Sequence, residues 1–181
     1  MTDTTIIAGN VEAGSRSAFT WSVVIAGALA AWAVAFIFIS LGTGIGFSIV
    51  SPYSGPSTTT MSIGGAIWLL FSETCAYAVG GYLAARLRIR DHIPGPETKF
   101  RDAAHGFMAW VIGTGLLTFV VLAAAILAPH ATGTTGAPPA DTEAMRQAAA
   151  YASFWSFMAL LFGAVAATLA GMLGGELRDE G

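Results

Sequence analysis

From Ser17 to Ser72 the chain carries no formally charged residue, and the same holds from Ala103 to Ala140, histidines aside, and from Gln147 to Gly175. Runs of that length do not suit a water-soluble domain, in which about a quarter of residues are charged. Here 10% are charged and 55% hydrophobic, with a mean hydropathy of +0.67. A hydrocarbon core about 30 Å thick demands roughly 20 apolar residues of a helix. Four stretches reach that length, at about 19–42, 62–87, 104–128 and 149–175. Helices follow rather than strands, because no polar alternation breaks the runs and an open strand would leave backbone groups unsatisfied in lipid. The expected fold is all-α, an integral membrane four-helix bundle. It forms a single transmembrane domain over 19–175, with a tail of 1–18 before it and 176–181 after it.

Charged or Pro- and Gly-rich segments separate the spans. "SPYSGPSTTTMS" (51–62) is an uncharged loop, "RIRDHIPGPETKFRD" (88–102) a charged one, and "PHATGTTGAPPADTEAMR" (129–146) the longest. Pro94, Pro96 and Pro129 punctuate helix ends, and Asp141 or Thr142 is placed to cap a fourth helix that starts two turns before lipid. An N-in, C-in arrangement puts Arg16, Arg86, Arg88, Arg90, Lys99, Arg101 and Arg178 on one side and only Arg146, of 8 basic residues, on the other. That asymmetry in short loops places both tails and the charged loop in the cytoplasm. The apolar stretch from Ala18 to Leu41 exceeds the 7 to 15 residue core of a cleavable signal peptide, so it is expected to stay as the first span. Trp21, Tyr53, Tyr82, Tyr151 and Trp155 fall near the boundaries, where interfacial aromatics belong, while Trp32 and Trp68 lie deeper as packing residues.

"GYLAARLR" (81–88), closing the second span, aligns with "GMLGGELR" (171–178), closing the fourth, sharing Gly, Leu, Leu and Arg in register. The match admits a fold of two parallel-repeat hairpins about an axis along the membrane normal, and it aligns Arg86 with Glu176 as a surface pair. Lipid supplies no hydrophobic force between helices, so association relies on small residues at four-residue spacing. The fourth span carries Ala159, Gly163, Ala167, Gly171 and Gly175; the second Ala76, Gly80 and Ala84; the first Gly27, Ala31 and Ala35.

Glu73 stands near the midpoint of the second span, in "LLFSETCAYAV" (69–79). A central acidic residue costs about 2.5 to 3.5 kcal/mol on insertion scales, so such groups face the bundle or water. Glu73 shares a stripe with Ala66, Leu69, Ala76, Tyr77 and Gly80, and no Lys or Arg occurs at its depth. Its expected partners are hydroxyls: Ser72, Thr74 and Tyr77 nearby, and Thr114, Thr118, Ser156 or Thr168 on other spans. Hydroxyls do not neutralise a charge, so the carboxyl is expected as the neutral acid. Two readings stand, an interhelical hydrogen-bond donor and a proton-binding carboxyl in a pathway with Tyr77, Thr114 and Thr118. The first is preferred, because coupled transporters show several polar groups along a route.

Other chemistry is poorly supported. Cys75 is the single cysteine and reads as a small buried hydrophobe, with neither a disulfide framework nor a metal-type pair. The three histidines, His92, His105 and His130, lie at different depths, so no haem or metal site is expected; His105 reads as a solvated interfacial residue. "LGTGIGF" (41–47) lacks the preceding strand of a dinucleotide fingerprint and ends in Phe47, so it is expected to let the first span pack closely or unwind. The arginines of 86–101 are interleaved with acids, which weakens any hold on anionic lipid. No basic stripe invites nucleic acid at a net charge of −3. No catalytic set, no cofactor and no enzymatic activity are expected.

"WS" (21–22) with "IAG" (25–27), "LGTGIG" (41–46), "SIGGAIW" (62–68), "GGYLAARL" (80–87) and "AHGFMAW" (104–110) together form a pattern. It resembles a family of small bacterial inner-membrane proteins, some carrying the label "PhnA-like", for which no activity is established. The resemblance covers about residues 20–110 in blocks and implies a four-helix fold in the bacterial inner membrane, but no catalytic residues. The functional expectation is a multi-pass structural, accessory or self-associating interaction protein. Its partners would be the lipid bilayer and either a homo-oligomer or another membrane protein. The alternative is a small channel or proton-coupled transporter using Glu73.

Overall fold

The computed structural model describes residues 19–49, 58–89, 95–132 and 142–180. The tail 1–18 and Arg16, Tyr53, Arg90, His92, Pro94 and Asp141 lie outside them. The described residues form four helices and no strand: α1 (Trp21–Ile49), α2 (Thr58–Arg86), α3 (Pro96–Thr132) and α4 (Thr142–Glu180). Each is long and apolar enough to cross a membrane.

The helices run past the apolar stretches. α3 begins at Pro96, inside the charged segment, where a proline costs nothing because a first-turn N–H has no intrahelical partner; Glu97 follows with its charge on the favourable end of the helix dipole. α2 starts at Thr58 within the segment expected as a loop, and α1 continues through "LGTGIGF" to Ile49 without unwinding. At about 1.5 Å per residue, the 37 residues of α3 and 39 of α4 are longer than a hydrocarbon core is thick, a mismatch that a spanning helix meets by projecting its polar ends or by tilting. Lipid thickness limits the apolar stretch and not the helix.

The starts of α1 and α3 meet the ends of α2 and α4 at one end of the bundle. There, Thr20 contacts His105, and Arg88 and Arg178 converge on Asp102. α2 and α3 each touch all three other helices, whereas α1 and α4 do not touch each other. A two-fold relation between the α1–α2 and α3–α4 hairpins would require α1 to meet α4 as α2 meets α3. The arrangement is therefore not symmetric, although "GYLAARLR" and "GMLGGELR" do bring Arg88 and Arg178 to one residue.

Small residues make up most of the interior. Val24, Ala28, Ala31, Ala76, Ala84, Ala85, Ala109, Ala159 and Ala167 are buried, and the largest fully buried side chains are His105, Val24 and Asp102. A Cβ on Gly27 would stand 2.5 Å from the carbonyl oxygen of Gly80, and one on Gly80 would stand 2.6 Å from that of Gly27, so α1 and α2 touch backbone to backbone. Gly81 and Gly106 both press on the backbone of Ala167, and Gly171 rests on Gly106 and the Asp102 carbonyl. The small-residue ridge of α4 is thus taken up by α2 and α3 of the same chain. Close approach multiplies the dispersion contacts that hold helices together where lipid offers no hydrophobic drive.

Candidate functional site: Glu73, its cleft and the charged end

Glu73 lies half-buried on α2, and Tyr77, one turn on, is buried. The Tyr77 ring occupies a slot between Gly113 of α3 and Gly163 of α4, where a Cβ would come within 2.9 and 3.0 Å of ring carbons. Thr114 Oγ1 donates to Tyr77 Oη at 3.1 Å, and Thr118 Oγ1 donates to the Thr114 carbonyl at 2.9 Å. Tyr77 and Thr114 are thus brought together, whereas Thr118 is exposed and bonds within its own helix.

Glu73 makes no hydrogen bond among the described residues. Ser72, Thr74 and Thr168, expected as its partners, each donate at 2.7 Å to a carbonyl one turn back: Trp68, Leu70 and Ala164. A hydroxyl in a helix meets its own i−4 carbonyl at no cost in chain entropy, and that local bond wins over a distant carboxyl.

Above Glu73 the bundle opens. A cleft of about 900 Å³ lies between the first halves of α2 and α4, walled by Ala66 and Leu69 on one side and by Tyr151, Ala152, Trp155 and Ser156 on the other. Positions 62, 66, 69 and 73 fall on one helical stripe, and the first three contribute to the cleft. The Tyr77–Gly163 contact fixes the pairing of α2 with α4, and carrying it back one turn sets Glu73 opposite the buried Ala159. The carboxyl therefore stands at the level where the cleft ends. Beyond it Tyr77, Gly163, Gly81 and Ala167 close the interior.

The charged end holds an ion network that sequence reasoning missed. Asp102, read as a loop acid, lies in the second turn of α3 and is 2% exposed. Arg178 grips it with a two-pronged fork, Nη1–Oδ1 3.0 Å and Nη2–Oδ2 3.1 Å, and Arg88 Nε donates to Oδ1 at 2.8 Å. Arg178 also donates to the Ala85 carbonyl at the end of α2 and to Asp179, so the network ties the ends of α2 and α4 to the start of α3. Gly175 lies against the Asp102 carboxylate, which a Cβ would displace. The repeat register held the signal, since it aligned Arg88 with Arg178; the surface pair drawn from it, Arg86 with Glu176, is not formed, because Glu176 accepts from Lys99 at 3.2 Å.

His105 departs from its expected solvated setting and is fully buried. Its Nε2 accepts the Thr20 N–H at 3.1 Å, its Nδ1 lies 2.6 Å from the Arg101 carbonyl, and Phe19 stacks on it with ring centroids 4.5 Å apart. The two bonds assign the proton to Nδ1. The imidazole anchors the entry of α1 to α3.

Two tryptophans bond across helices. Trp68 Nε1 donates to the Phe38 carbonyl at 3.1 Å, reaching it because Gly42 has no Cβ to block the indole, and Trp32 Nε1 donates to the Gly113 carbonyl at 3.1 Å. Gly42 is the position in "LGTGIGF" that packs closely; a Cβ on Gly44 or Gly46 would meet nothing. Trp110 Nε1 is buried beside Gly163 without a hydrogen-bond partner among the described residues. Among the described residues no three His, Cys, Asp or Glu side chains are grouped to hold a metal ion. The chain matches no protein-family model, no curated protein and no solved structure.

Proposed function

We propose that this chain is a multi-pass structural or accessory protein of the bacterial inner membrane that associates with copies of itself or with another membrane protein. The resemblance to the small inner-membrane family belongs to this reading and adds location but no activity. The observation that carries it is bare helix backbone away from the charged end. Gly44, Gly46, Gly64, Gly65 and Gly115 face open space. The Gly42–Trp68 contact sets Gly44 and Gly46 of α1 at about the level of Gly65 and Gly64 of the antiparallel α2. Glycine in an exposed helix costs about 0.8 to 1 kcal/mol relative to alanine, a cost offset when another helix closes on it. Cross-linking in mild detergent is expected to capture a species larger than one chain, and Gly44→Leu with Gly64→Leu to abolish it while the monomer keeps its helicity. A wild-type chain that remains a lone monomer overturns the reading.

One observation favours the rival, a proton-coupled transporter or small channel: Glu73 makes no hydrogen bond among the described residues and lies one helical turn beyond Leu69, which lines an open cleft. In that reading Glu73→Gln abolishes proton flux in proteoliposomes, and unchanged flux rejects it.

A further inference from the structure

We propose that the α2–α4 cleft binds a lipophilic monocation, with the Glu73 carboxylate as its counter-charge. The site would serve whether or not the ligand is then transported.

Three features converge on this chemistry. The cleft is large, about 900 Å³, and mostly apolar, with Ala66 and Leu69 on one wall and Ala152 on the other, so it suits a hydrophobic body rather than a hydrated ion. Two aromatic rings, Tyr151 and Trp155, stand on the α4 wall, and aromatic faces attract cations within about 6 Å of the ring centroid. One turn beyond Leu69, on the same stripe, follows the Glu73 carboxyl, which makes no hydrogen bond among the described residues. No lysine or arginine lies between residues 58 and 85 of its own helix, nor between 147 and 177 of the helix opposite. A carboxylate removed from water needs a counter-charge, and a cation entering by the cleft would supply one that these stretches of α2 and α4 do not carry. A neutral lipid tail would fill the apolar walls but leave the carboxyl as it was. An anion would be repelled.

The route ends at Glu73. Immediately beyond it the Tyr77 ring is wedged between Gly113 and Gly163, and the next turn brings Gly81 onto the Ala167 backbone. A bound cation would therefore come and go through the cleft alone while the helices keep this packing.

Equilibrium dialysis of the full chain in mild detergent against tetraphenylphosphonium, with the uncharged, similarly shaped tetraphenylmethane as control, tests the site. Saturable binding of the phosphonium, at least tenfold tighter than the control, is expected. Glu73→Gln keeps shape and hydrogen-bonding capacity and is expected to weaken phosphonium binding at least tenfold without moving the control. Ala152→Trp keeps the carboxyl but fills the cleft, and is expected to lower binding as well, with unchanged helicity by circular dichroism reporting an intact fold. Equal binding of charged and uncharged probes overturns the proposal. So does phosphonium binding that survives both substitutions, or a cleft already covered in the wild type by a second copy, seen as cross-linking between residue 152 cysteines that the phosphonium does not reduce.

Discussion

Asp102 is the side chain on which the closed end of the bundle depends. It is buried, and two buried guanidiniums point at its oxygens. Removing one partner of a buried ion pair costs about 3 to 5 kcal/mol, because the remaining charge keeps its desolvation penalty without compensation. Asp102→Ala, which removes the carboxylate that Arg88 and Arg178 share, is expected to lower stability by about 3 to 5 kcal/mol in detergent-mediated unfolding. Arg178→Lys is expected to recover only part of the native value, because an ammonium cannot reproduce the fork to both carboxylate oxygens while also reaching the Ala85 carbonyl. The tryptophan bonds are worth less. Trp68→Phe forfeits one interhelical hydrogen bond, about 0.6 to 2 kcal/mol in a membrane, measured by the same unfolding assay. None of these partnerships could be read from the sequence. Arg88 and Asp102 are 14 positions apart, Arg178 and Asp102 are 76 apart, and a lone Asp in a charged segment looks the same whether it faces water or two arginines.

The helices themselves were largely legible, because a charge-free run of some 20 residues has few alternatives in lipid. Their ends were legible in part: α4 begins at Thr142, where a cap was expected, whereas α2 and α3 begin inside segments whose polarity suggested loops. The first turn of α4 shows how such an extension is supported. Arg146 and then Gln147 hydrogen-bond to Glu143 and hold its carboxyl below the usual glutamate range, and a negative charge there also complements the helix dipole. A carboxyl lowered on folding contributes stability above its unfolded value and loses it only as pH falls through the folded one. NMR titration is expected to find the Glu143 midpoint below that of an ordinary glutamate, and Arg146→Ala to return it. Glycines divide into two kinds that sequence spacing alone does not separate. Gly81→Ala drives a methyl into the Ala167 backbone, which cannot rotate away, and is expected to cost about 1 to 3 kcal/mol or more. Gly115→Ala meets open space and is expected to be neutral or to stabilise by up to about 1 kcal/mol. Unfolding of the two variants side by side checks the contrast.

Taken together, the bundle has one end tied by an ion network and by His105, a middle closed by glycine–backbone contacts, and an opposite half that opens as a cleft above Glu73. The stripe carrying Glu73 was visible in the α2 sequence, but the cleft was not, because its walls come from two helices, α2 and α4, some 85 positions apart in the chain. The small-residue ridge of α4 could be read, though not whether it would meet its own chain or another. The proposed topology is four crossings of a bilayer with the Asp102 end in the cytoplasm. Its most direct test is cysteine labelling in a Cys75→Ala background with a single cysteine at Lys99 or at Gln147, both exposed and at opposite ends. The cysteine at 147 is expected to react with a membrane-impermeant maleimide in intact cells, and the one at 99 only in inverted vesicles. Labelling of both from the same side, or a purified chain that stays soluble without detergent, would contradict it.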